Sequence, residues 1–141
     1  MSPSFLILIR RKHMQTLTPY FNTVGRVLIS AIFLLSGISK VSAYAATQGY
    51  MAAMGVPGEV LPLVIAFEIG GSVAIIIGLQ TRLVALALAG FSLATAVLFH
   101  GELGDQTQFI MFTKNIAIAG GFLFLVANGP GALALDNRNA R

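Results

Sequence analysis

Residues 59–101 read EVLPLVIAFEIGGSVAIIIGLQTRLVALALAGFSLATAVLFHG, two long apolar stretches divided only by Gln80, Thr81 and Arg82. About 20 apolar residues cross the hydrocarbon of a bilayer, and residues 59–79 and 83–101 both reach that length. Three residues allow nothing but a tight antiparallel turn between them. In lipid every backbone N–H and C=O has to be bonded within the segment, so both stretches are predicted helices. Two further stretches have the same character, at 21–41 and 109–128, the last reached through a short polar loop at 102–108. The expected fold class is all-α: an integral membrane four-helix bundle over residues 21–128, with flanking segments at 1–20 and 129–141.

Composition argues the same way. Of 141 residues, 56% are hydrophobic and only 10% charged, where a soluble domain is about a quarter charged. No polar region is long enough to fold as a second domain. The formal charge of +4 comes from scattered basic residues without interleaved aromatics, so nucleic acid is not an expected partner. The absence of cysteine excludes disulfides, thiolate metal sites and dithiol chemistry within the chain.

The connection at 42–58 is too short to span and too apolar for a free loop. It carries Tyr44, Tyr50, Met51 and Met54 before Gly55-Val56-Pro57-Gly58, and reads as a short interfacial helix between spans 1 and 2. Ahead of the first span, the apolar run at 5–9 precedes Arg10, Arg11 and Lys12. A secretory signal has the opposite order and a longer apolar stretch. Residues 1–20 therefore read as a basic tail, either disordered or the product of a start placed upstream of Met14.

Basic residues set the orientation. Arg10, Arg11, Lys12, Arg26, Arg82, Arg138 and Arg141 fall on the side of both termini, and Lys40 and Lys114 on the other. Both termini are expected in the cytoplasm. Small residues at four-residue spacing, Ala66, Gly70, Ala74 and Gly78, together with the pairs Ala85/Ala89 and Ala117/Gly121, predict closely approaching helices.

Glu68 falls near the centre of the second span. An acid there costs roughly 2.5–3.5 kcal/mol on insertion scales and needs a partner. At about 1.5 Å per residue, Lys114 lies roughly 5–9 Å from the midplane, and Lys40 and His100 roughly 10–14 Å. Glu68, Lys114, Asn115, Lys40 and His100 form the candidate binding group, with Lys114 the preferred partner of Glu68. Lys40 and Arg26 stand near enough to span ends to snorkel. His13 lies in the tail, leaving His100 alone in the spans, whereas a haem between helices needs two facing histidines. No di-iron carboxylate spacing, catalytic triad, phosphate loop or dinucleotide fingerprint occurs, so no catalytic or metal residue is assigned.

Longer motifs tie these residues together. Gly37-Ile38-Ser39-Lys40 closes the first span, followed by Gln48-Gly49-Tyr50-Met51 and Met54-Gly55-Val56-Pro57. Then come Phe67-Glu68-Ile69-Gly70-Gly71, Thr81-Arg82, the stretch from Thr95 to His100, Phe112-Thr113-Lys114-Asn115-Ile116, and Gly129-Pro130-Gly131 with Asp136. In order and spacing the chain resembles the DoxX family over residues 24–138. The resemblance implies a four-helix bundle in the bacterial plasma (inner) membrane and a link to quinone-dependent respiratory or sulfur-redox chemistry. The family takes its name from a terminal quinol oxidase system, and related proteins are subunits of thiosulfate:quinone oxidoreductase. On that footing the chain is an accessory oxidoreductase subunit rather than an enzyme by itself. Lys40, Glu68, Lys114 and Asn115 become its functional positions and quinone its non-covalent cofactor. Its partners are the lipid bilayer and redox-complex subunits or a second copy of the chain.

Two other classes compete. A small proton-coupled transporter also has four spans and a central glutamate, although small multidrug-resistance exporters carry theirs in the first span among aromatic residues. A membrane scaffold would use the same polar residues only to specify packing.

Overall fold

The computed structural model describes residues 2–140. Five α-helices follow one another: α1 (Pro3–Ser42), α2 (Tyr44–Ala53), α3 (Leu61–Ile77), α4 (Thr81–Phe99) and α5 (Gln106–Asn128). Short 3-10 turns at Gly58–Val60 and Leu135–Ala140 complete the described residues, which include no strand. Four of the helices, α1, α3 with its 3-10 lead-in, α4 and α5, are long and apolar enough to cross a membrane. The protein is an all-α, four-span membrane bundle. The connection between the first two spans does contain a short helix, α2.

Residues 3–20 form the first half of α1. Pro3 stands at the helix start, where its missing N–H costs nothing, and the Ser2 hydroxyl accepts from the Phe5 N–H. The C-terminal segment is also ordered. It turns back across the α3–α4 hairpin and buries Ala134.

The helices pack as two pairs, α1 along α3 and α4 along α5. At Gly37 a Cβ would lie 2.6 Å from Ile69 Cγ1 and 3.3 Å from Glu68 Cβ, so only glycine lets α1 approach α3 there. Ala85 and Ala89 do the same for α4, and with Phe33, Ile75, Leu88, Ala119 and Phe122 they form the core. The row on α3 does otherwise: Ala66 and Gly70 face outward. Spacing defines a strip on a helix but not which strip meets a neighbour. Here Glu68, Ser72 and Ile75 take the inward strip.

The hairpin is clamped at both helix ends. Gly78 adopts the left-handed conformation (φ 74°), and a Cβ there would meet both Ala134 and Arg26. Arg26 is only 2% exposed and does not snorkel. Its guanidinium donates to the carbonyls of Ile75 (3.0 Å), Ile76 (2.7 Å) and Leu133 (3.1 Å). It thereby satisfies the bare C-terminal carbonyls of α3 and complements the negative end of the helix dipole. Asp136 mirrors it at the N-terminus of α4, accepting from the N–H groups of Gln80 (2.7 Å) and Thr81 (2.8 Å).

Candidate functional site

Away from the hairpin the bundle is hollow. A cavity of about 420 Å³ lies among α1, α3, α4 and α5, beneath α2. Phe33 and Phe91 meet edge to face at its base, with ring centroids 6.2 Å apart, and Phe67 packs on Phe91 at 5.1 Å. At the α2 end Met51 is buried and Tyr50 stacks on Phe99 at 5.6 Å. The walls are mostly apolar.

Glu68 projects into this space from α3, 3% exposed. Ser36 and Lys40 stand one turn apart on α1, the spacing that places two side chains on one helix face. Gly37, between them, brings that face against Glu68. Lys40 Nζ donates to both carboxylate oxygens at 3.0 Å and to Ser36 Oγ at 2.5 Å. The Ser36 hydroxyl donates in turn to Glu68 Oε1 at 3.3 Å. Charge-assisted hydrogen bonds are shorter and stronger than neutral ones, and these offset the cost of holding the acid in hydrocarbon.

The expected Glu68–Lys114 pair is absent. Lys114 is exposed on α5, while its neighbour Asn115 lines the cavity. Helical rise sets depth, but each residue also turns the side chain by about 100°. Lys114 has the depth and lacks the direction. Lys40, expected to reach for headgroups, turns inward along α1 instead.

The remaining candidates gather on the opposite wall. Asn115 Nδ2 approaches Thr95 Oγ1 at 3.5 Å, a long contact. His100 also lines the cavity, its Nδ1 lying 2.8 Å from Gln108 Oε1. The structure thus brings Lys40, Glu68, Asn115 and His100 to one cavity and leaves Lys114 outside. Ser36, Thr95 and Tyr50 were missed as site residues. The Ser36–Lys40 spacing was one signal and the motifs containing Tyr50 and Thr95 another, although only tertiary packing brings the last two to the cavity. Among the described residues no three His, Cys, Asp or Glu side chains cluster as a metal centre would need.

The DoxX family model matches residues 21–101, a stretch that contains Ser36, Lys40, Glu68 and His100 and stops short of Asn115. The chain is 50% identical over 113 residues to the inner membrane protein YqjF of Escherichia coli, covering 80% of this chain and 87% of that protein. It is 35% identical over 127 residues to the inner membrane protein YphA of the same organism, covering 85% and 91%. An uncharacterized protein of Haemophilus influenzae is 34% identical over 125 residues, again covering 85% and 91%. No solved structure matches.

Proposed function

The chain belongs to the DoxX family, and on that premise we propose that it is a bacterial inner-membrane protein holding a quinone-like head group beside Lys40 and Glu68. In this reading it serves a quinone-linked oxidoreductase system as an accessory subunit. The observation that carries it is the cavity itself. A buried ion pair that only fixes packing needs no space around it, and such pairs are weak evidence of function alone. Here about 420 Å³ adjoins the pair, within the range of small-molecule sites, which are apolar clefts with a few convergent polar groups.

The residues fit the chemistry of such a ligand. Asn115 Nδ2, whose one contact is the long approach to Thr95, offers a donor suited to a ring carbonyl. Lys40 can turn one of the N–H groups that bond Glu68 and Ser36 to the same purpose, and Glu68 keeps lone pairs that suit a ring hydroxyl. The aromatic base of Phe33 and Phe91 suits a flat ring. A quinone, when bound, supplies two-electron, two-proton carrier chemistry. The protein's part is to bind and orient it and to hold a proton at the Glu68 carboxylate. The excess of basic residues at the hairpin end supports cytoplasmic termini, and in this reading the cavity belongs to the outer half of the membrane.

Decylubiquinone titrated into the purified protein in nanodiscs tests the reading. The double variant K40M/E68Q removes both charges without stranding either. It is expected to weaken binding at least about tenfold, since hydrogen bonds to charged groups contribute about 1.5–3 kcal/mol and 1.4 kcal/mol is tenfold. Unaltered affinity in the double variant, or no binding to the wild type, overturns the proposal.

A further inference from the structure

α1 is far longer than a bilayer needs. Its 40 residues extend about 60 Å at 1.5 Å each, against about 30 Å of hydrocarbon. The bundle ends near Asn22, which packs against Gly131, and Arg26, which bonds the Leu133 carbonyl. From there back to the N-terminus α1 stands alone, and residues 2–18 are all exposed.

The bare stretch has two unlike parts. Its tip is apolar on every side: Phe5, Leu6, Ile7, Leu8 and Ile9 are between 41% and 64% exposed. Behind the tip come Arg10, Arg11 and Lys12, and no acidic residue precedes Glu59. Standing straight, α1 would hold five large apolar side chains in water, roughly 20 Å beyond the bundle at 1.5 Å per residue. The tip is also too short to cross a second layer of hydrocarbon.

The helix has a place to bend. Pro19 offers no N–H to the Gln15 carbonyl. The hydroxyls of Thr16, Thr18 and Thr23 bond back to the carbonyls of Lys12 (3.0 Å), Met14 (2.9 Å) and Pro19 (2.9 Å). Proline and hydroxyl back-bonding are the usual causes of helix bending.

We propose that residues 3–18 are an arm that bends between Met14 and Thr23 and lies on the membrane surface at the hairpin end, bound to anionic lipid. Residues 5–9 sink among the acyl chains, and Arg10, Arg11 and Lys12 rest on the phosphates, the arrangement of an interfacial helix. Charge selects lipid over a second copy of the arm, which would bring like charges together. The inference stands apart from the cavity and its ligand.

The chain has no tryptophan, so Phe5→Trp installs a single reporter in the full-length protein. In vesicles containing phosphatidylglycerol its emission is expected to shift to the blue and be quenched by brominated acyl chains. Both signals should be clearly weaker in phosphatidylcholine alone, in high salt, or when R10Q/R11Q/K12Q is added. Emission typical of water in both lipids overturns the proposal. So does equal quenching in neutral lipid, which removes the anionic requirement. A blue shift that grows with protein-to-lipid ratio without bromolipid quenching assigns the arm to a second copy and overturns it too.

Discussion

Glu68 is the residue on which the site turns, and part of its story is written in the sequence. A lone acid in the middle of an apolar span demands a compensating group, whatever the fold. Which group answers depends on helix rotation and on where α1 touches α3, a contact set by the glycine at 37. Depth alone favoured Lys114, and rotation gave the place to Lys40. The pair also makes a distinctive forecast for stability. K40M strands a buried carboxylate and is expected to destabilise the protein by about 3–5 kcal/mol, whereas removing both charges together costs far less. Denaturant unfolding in detergent compares K40M with K40M/E68Q. If the single variant is the more stable of the two, Glu68 does not depend on Lys40.

At the scale of elements, the α3–α4 hairpin rests on residues from outside it. The three-residue turn was legible because apolar stretches on either side left nothing else to cross with. Its two clamps were not, since Arg26 lies 49 residues before the Ile75 carbonyl it bonds, and Asp136 sits 55 beyond Thr81. Burial pushes the Asp136 carboxyl up, but hydrogen bonds from Thr81 and Gln80 and the Arg26 charge outweigh it and hold it below the usual carboxylate range. A carboxyl depressed in the folded state stabilises it fully above its unfolded value, about pH 3.9. That contribution is lost as pH falls through the lower folded value. D136N, which lacks the charge, is therefore expected to be less stable than the wild type at neutral pH by about 0.3–1 kcal/mol, the worth of a charge at a helix N-terminus. The gap should narrow below pH 4, as measured by thermal unfolding in detergent across pH 2.5–7. A gap that stays constant through that window would show that Asp136 does not act through its charge.

The whole molecule divides into a solid end and a hollow one. Four spans could be read from local apolar runs because each run carries its own evidence. The hollow could not, because its volume depends on side chains from α1 to α5 meeting, or failing to meet, across the bundle. The size of the hollow limits what it can be. At about 420 Å³ it has room for a ring-sized ligand or several waters, and it is not sealed from its surroundings. The space is therefore expected to be occupied, by ligand, lipid or water, and filling it with protein separates a binding site from a packing flaw. Val64 lines the cavity from α3, and Val64→Phe places a ring in it. The expected outcome is at least tenfold weaker decylubiquinone binding with thermal stability held or raised. Retained affinity would remove the cavity as the binding site. A severe loss of stability would instead mean that the space is no spare volume, but is closed by packing that the ring disrupts.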